Sequence, residues 1–169
     1  FDSPTPDGLT WIVDVPVLEK HLGEAVHHQA DITCLQNAAP AALTVICEGR
    51  HSSTRAELGV TFDALPYQQH AVAARVRGSI AHRQQAFQWF AHQGEGLEIL
   101  ALLPLGGAQG DTAGLVWSLP PTRAQHMLAL DAPAFCEALQ DASHGVLGQL
   151  ELTSERAMWP LQLARAQQW

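Results

Sequence analysis

The absences in this chain narrow its function before any motif is considered. Its 169 residues contain a single lysine, Lys20, beside eight arginines, while 17 acids leave a net charge of −8. The arginines are scattered rather than gathered in a stripe, so the chain offers no electrostatic track for a phosphate backbone and nucleic acid is excluded as a partner. No apolar run reaches the ~18 residues needed to cross a bilayer. Residues 1–9 have neither the basic start nor the apolar centre of a secretory signal. Cysteine is scarce: Cys34, Cys47 and Cys136 form an odd, widely spaced set that reads as reduced thiols in a cytoplasmic protein.

Other absences concern chemistry. No Gly-x-Gly-x-x-Gly follows a first strand, and Gly106, Gly107 and Gly110 have the wrong spacing and join two strand-like runs, so they read as a hairpin. No nucleophile–base–acid set is evident. The chain has 9 histidines, but His21 and His27 lie six apart, off a common helical face from each other, and with His28 they lack a cysteine or carboxylate at zinc spacing. A metal site is therefore not expected. Glu137, Asp141 and His144, three to four apart, read as a solvated helix face.

The residues present describe one globular domain spanning 1–169. A hydrophobic content of 47% with 15% charge suits a chain that buries a sizeable core. Its start, without methionine and running at once into a strand-like segment, reads as a piece of a longer polypeptide. Short strands are expected at 9–13, 29–35 and 43–47. A helix begins near Pro16 with Val17, Leu18, His21, Leu22, Ala25 and Val26 at helical spacing. A second, shorter helix is expected at 52–58, closed by Gly59.

From Tyr67 the period changes to two. Residues 70–77 place Ala71, Ala73 and Arg75 on one side and Val72, Ala74 and Val76 on the other. Residues 86–92 place Phe87, Trp89 and Ala91 opposite Gln88, Phe90 and His92. Further strands at 97–105 and 112–119 are divided by glycine turns, including Gly94-Glu95-Gly96, which suggests an antiparallel meander. Helices at 120–130 and 132–147 follow, the latter with Asp131 as N-cap and Pro133 in its first turn. Strands at 149–153 and 158–164 close the chain. This order predicts an α+β fold, an antiparallel sheet covered on one face by helices and lacking the Rossmann-type flavin fingerprint.

One local pattern carries potential chemistry. In residues 42–55, ALTVICEGRHSSTR, an apolar run ends at Glu48-Gly49 and a polar loop leads to Arg55. A strand delivering a carboxylate and a tight turn, with a guanidinium a helical turn later, can hold a ribose or pyrophosphate. It can equally be a capped turn with a surface ion pair, and both readings stand.

Five segments in order resemble the middle, substrate-binding region of the FAD-dependent aromatic-ring monooxygenases. The branch most resembled is the ubiquinone-biosynthesis (2-polyprenylphenol) hydroxylases, which are similar to para-hydroxybenzoate hydroxylase. The segments are CEGRHSSTR, PYQQHAVAARV, AHRQQAFQWF with LALLPL, GLVWSLPPTRAQHMLAL and SERAMWPLQLARAQQW. Glu48 stands where that family has aspartate, and Trp89 where it usually has arginine. The stretch between His28 and Leu43 is shorter than usual, and no Gly-Asp-Ala-type flavin motif follows Trp169.

The resemblance implies that residues 1–60 belong to the cofactor-domain side and 61–169 form the substrate-binding sheet and helices. It implies FAD and NAD(P)H in a full-length parent, with none held by this chain alone, which would then be inactive in isolation. Glu48, Gly49 and Arg55 become candidate cofactor contacts. Gln69, Phe87, Trp89, Leu103, Leu105 and Trp117 become candidates for lining a pocket for a phenol, with or without a prenyl tail; each apolar one is equally an ordinary core residue. His82 falls at a family position and also reads as a plain loop histidine. Peripheral contact with the inner membrane and self-association are further expectations. The alternative is a non-catalytic module that binds a quinone or lipid.

Overall fold

The computed structural model describes residues 9–93, 96–107 and 109–167. The glycine turn expected at 94–96 and the centre of the one at 106–110 lie partly outside them. The chain divides into two compact units, one of residues up to 14 and 66–161, the other of 15–65 and those from 162 onward.

The first unit holds most of an antiparallel sheet and two helices. Its strands are β1 (Phe62–Gly78, which begins in the second unit), β2 (Phe87–Gln93), β3 (Gly96–Pro104), β4 (Thr112–Leu119), β5 (Leu150–Leu152) and β6 (Ala157–Ala166, which ends in the second unit). The sheet runs β2-β3-β4-β1-β5, with β6 pairing β1. Thus β2, β3 and β4 form the expected meander, but β1 does not join β2. It pairs with β4, Val72 opposite Trp117 and Ala74 opposite Leu115, in a Greek-key order.

The cause lies in the β1–β2 connection, which crosses the ends of β4 and β3 before turning back. His82 fixes that crossing. Buried at 2% exposure, it takes the Gly110 carbonyl through its backbone N–H (2.9 Å), and its Nε2 lies 3.0 Å from the Leu105 carbonyl. Gly78 N–H also donates to the Asp111 carbonyl (2.9 Å).

Helices α3 (Pro121–Ala129) and α4 (Ala132–Ala142) cover one face of the sheet. Both start as the sequence indicates. Proline stands in each first turn, and Asp131 accepts from the Ala134 N–H at 2.9 Å. The core between them and the sheet contains Val72, Val76, Leu102, Leu115, Trp117 and Leu119 from strands, and Met127, Phe135 and Leu139 from helices. Helix α4 stops five residues short of the expected end at 147. His144 and Gly145 take left-handed backbones (φ 53° and 63°), and Gly145 N–H returns to the Gln140 carbonyl at 2.9 Å. The following turn delivers buried Leu147 to the core.

The second unit departs further from expectation. Its helix α1 (Val15–His27) forms where the period indicated, yet buries no residue. Residues 29–35 and 43–47, read as strands, contain none, and neither do residues 9–13 of the first unit. Among the described residues no strand pairs with 43–47, and Leu43 and Val45 are 79% and 71% exposed. An apolar run signals a strand only if a neighbour supplies the ladder, and here none does. Short helix α2 (Ser53–Glu57) follows a 3-10 turn at Gly49–His51. The unit is closed by Gln167, whose N–H reaches the Thr61 carbonyl (3.2 Å) and whose side chain reaches Asp63 (3.1 Å).

The three thiols stand in contrasting places. Cys34 and Cys47 are exposed, whereas Cys136 is buried in α4, and burial pushes its thiol above the ordinary value. In the native protein at neutral pH, an aromatic disulfide reagent should titrate two thiols rapidly and the third only after denaturant is added. Rapid reaction of all three would show that α4 does not pack as described.

Candidate functional site

Strand alternation sorts the candidate substrate residues. Phe87 pairs with Leu102 and Trp89 with Leu100, which in turn pairs with Trp117, so all three aromatics lie on the helix-covered face. Trp117 is 1% exposed in the core, and Phe87 and Trp89 stack with ring centroids 6.0 Å apart beside it. Leu103 falls on the opposite face, and Leu105 lies against Gly114 there, its Cδ1 3.5 Å from where a Cβ would stand. Gln69 is on that second face as well. The structure therefore brings Gln69, Leu103 and Leu105 to one side and Phe87, Trp89 and Trp117 to the other.

The second face is mostly apolar and has a low profile. Rows across the strands read Phe90, Ile99, Ser118, Ala71, then Gln88, Ala101, Val116, Ala73, then Leu103, Gly114, Arg75. Phe90 and Val116 are exposed, at 66% and 38%. Ala73 and Ala101 keep the centre of this face low, Leu105 lies over Gly114, and Ala71 and Ser118 are buried at 2% and 8% exposure.

Polar groups stand at either end of this face. At one, Gln69 Oε1 accepts from the Ser118 hydroxyl (2.8 Å) and its Nε2 donates to the Leu97 carbonyl (2.7 Å), so the amide is oriented on both sides. Gln68 just before it has a left-handed backbone (φ 58°), which resets the alternation at this point. At the other end, the Arg75 guanidinium forms a two-bond fork with Asp14, both bonds 2.6 Å, and Asp14 holds it above its ordinary pKa. Val116, Ser118 and Asp14 were not among the sequence candidates. The alternation that put Ala71, Ala73 and Arg75 on one side was the available signal, but an arginine in a strand reads as a solvated edge until its partner is seen.

In the second unit the acid–glycine turn forms compactly. The Glu48 carboxylate accepts from the Ser52 hydroxyl (2.7 Å), the Thr54 N–H (3.1 Å) and the Thr54 hydroxyl. Ser52 caps α2 by accepting from Arg55 N–H (3.0 Å), and the Arg55 guanidinium lies 3.4 Å from the Gly49 carbonyl. Gly49 has φ 72°, and a Cβ there would meet open space. The hydroxyl of Thr54, then that of Ser52, hold the Glu48 carboxyl below the ordinary carboxylate value. Any ribose or phosphate would compete with these hydroxyls and amides for the same groups.

Two other charged groups are buried or partly so. Glu98, 5% exposed on the helix face, faces Arg123 of α3 at 3.7 Å. Arg156 donates to the Met127 and Leu130 carbonyls (3.0 and 2.7 Å) and lies 4.9 Å from the Phe135 ring centroid. Among the described residues no cluster of histidine, cysteine and carboxylates could hold a metal ion, and no helix is long and apolar enough to cross a membrane.

No family model matches the chain. Over 124 residues it is 28% identical to the uncharacterized protein slr1300 of Synechocystis sp., a match covering 73% of this chain and 28% of that protein. The chain thus spans little more than a quarter of that relative's length. Among solved structures, the flavin-dependent halogenase CmlS superposes with a TM-score of 0.44 at 14% identity, over 68% of this chain and 21% of that one.

Two substitutions test the local geometry. Glu48 accepts from three donors on both oxygens, an arrangement that its ionised form favours. Its contribution to the α2 turn is therefore complete above the ordinary carboxylate pKa and is lost as pH falls through its depressed value. The protection factor of the Thr54 amide should fall in Glu48→Ala at neutral pH, and in the parent only under acid; equal protection in both would refute the capping role. His82→Ala should cost about 1–3 kcal/mol in urea unfolding, because the Leu105 carbonyl and Gln84 N–H lose their partners. An unchanged midpoint would mean that the crossing is held by other bonds.

Proposed function

We propose that this chain is the substrate-covering portion of a flavin-dependent oxygenase that hydroxylates a phenolic ring, in the formation of ubiquinone. Two things support the reading. Five segments resemble such enzymes in order, and an α+β sheet has one face covered by helices and the other largely apolar. The observation that carries it is the second face itself, where Ala73, Ala101 and Val116 form a low apolar strip beside Leu103 and Leu105. The oriented Gln69 amide stands at one end and Arg75 at the other.

The division of labour follows from what the residues offer. A phenol ring lying on this strip exchanges water for aliphatic contact, and Gln69 has a spare N–H and a spare lone pair for the ring oxygen. Glu48, Gly49 and Arg55 offer a cofactor edge contacts rather than a whole site: the acid's bonds are made within the turn, while Gly49 opens onto space that a phosphate can approach. FAD and NAD(P)H are accordingly assigned to parts of a longer protein outside these residues. A reduced flavin supplies the oxygen-transfer chemistry, and this chain holds the ring and excludes water. The isolated chain is then inactive. Its parent works in the cytoplasm at the inner-membrane surface, where a prenylated phenol resides.

The coding frame around this segment tests the reading. It should carry a dinucleotide fingerprint upstream and a flavin motif downstream, and the full-length product should oxidise NAD(P)H faster when a phenol is added. In that protein, Val116→Asp should raise KM for the phenol by about tenfold, through the charge placed in an apolar contact, with flavin content unchanged. A full-length product free of flavin that retains a long-chain quinone would replace this reading with the non-catalytic one, which the same apolar face favours.

A further inference from the structure

The two ends of the strand order are built differently. At one end β5 has three residues, Leu150–Leu152, and carries Glu151, so it offers a short, charged edge. At the other end β2 is seven residues long, Phe87–Gln93, and reads FQWFAHQ. It has no lysine, arginine, acid or proline, and no residue in it takes a left-handed backbone. Among the described residues no strand pairs with its outer side. An edge with none of the usual protections leaves a row of backbone donors and acceptors that another extended strand can pair with in place of water.

We propose that this edge pairs with the β2 edge of a second copy, joining two sheets across a two-fold axis. Antiparallel pairing requires residues whose backbone groups face outward to oppose one another, so partners share parity. The register with greatest overlap sets Phe90 opposite Phe90 of the other copy. In that register Gln88 meets His92 on the second face, where an amide and an imidazole can hydrogen-bond. Trp89 meets Ala91 on the helix face, a large side chain over a small one, and the match occurs twice by symmetry. Phe90, 66% exposed in the single chain, gains an aromatic partner of its own kind. No pair brings like charges together. A one-sided partner such as a foreign peptide would gain the backbone bonds but not this reciprocal fit.

Light scattering coupled to size exclusion should show a mass moving from 18.3 kDa towards twice that value as concentration rises. Phe90→Lys places two ammonium groups opposite each other and should raise the dimer dissociation constant by about tenfold or more. Its circular dichroism should be unchanged, because Phe90 is outside the core. For register, Phe90→Cys in a Cys34→Ser, Cys47→Ser background should form an intermolecular disulfide on oxidation. Directly opposed Cα atoms lie ~4.5–5.5 Å apart, within disulfide reach. Gln88→Cys should not form one, since its own copy lies about four residues away along the strand, ~13 Å. Should Phe90→Lys fail to fold, the cysteine pair decides alone. A monomer at every concentration, a dimer indifferent to Phe90→Lys, or cross-linking at 88 rather than 90 would each overturn the proposal.

Discussion

Successive side chains of a strand point to opposite faces, and that alternation governs everything this sheet does. On β4 it sends Ala113, Leu115, Trp117 and Leu119 under the helices, and Gly114, Val116 and Ser118 to the other side. Burying Trp117 or Phe135 removes a large apolar area from water, worth on the order of 1.5–3 kcal/mol for a Phe-sized side chain. The helices therefore commit to that face. Once they do, Trp117 beneath them is closed off and Phe87 and Trp89 are partly covered, while the far side presents mostly smaller residues. The apparent poverty of the second face, with alanines and a valine in its centre, then becomes a shape, since bulk at 73 or 101 would raise its surface, while Leu105 already lies over Gly114.

How much of this could be read in advance depended on whether a signal was local. The two-residue period at 70–77 and 86–92 sorted Arg75 from Val76 and Phe90 from Trp89 correctly, because the backbone alone sets that geometry. Proline and aspartate at the starts of α3 and α4 marked those helices for the same reason. Strand order was not local. Nothing in residues 79–86 announces that they cross two strand ends, and the one clue, His82, is a residue type that usually lies in solvent. Grouping Trp89 and Trp117 with Leu103 as one pocket failed on parity across strands, which needs the register between them.

The segment 43–47 shows the opposite limit. Its apolar run has strand propensity, yet propensity supplies only half a ladder, and no described strand supplies the other half. The same dependence explains α1, whose helical period is clear while Leu18 and Leu22 remain 42% and 55% exposed. Beside them the Glu48 turn is well formed because it needs nothing distant. Its acceptors and donors lie within seven residues of one another, so hydroxyls and amides of the same turn satisfy the carboxylate. Local satisfaction of this kind is what makes an acid–glycine pair a poor reporter of function when taken alone.

The motif residues His82 and Arg156 carry that point further. Each sits in a segment whose sequence suggested an enzyme family, and each is engaged in holding the fold. His82 ties the β1–β2 crossing to the end of β3 through the Leu105 carbonyl. Arg156 reaches two carbonyls at the end of α3 that the helix itself cannot satisfy, and the Phe135 ring of α4 lies within cation–π distance. One guanidinium thereby ties both helices to the segment leading into β6, keeping the helix layer over its face. A motif can thus mark an architecture as strictly as it marks a reaction. On this chain the helix layer claims one side of the sheet, and the other keeps Phe90 and Val116 exposed while Ala71 and Ser118 are buried.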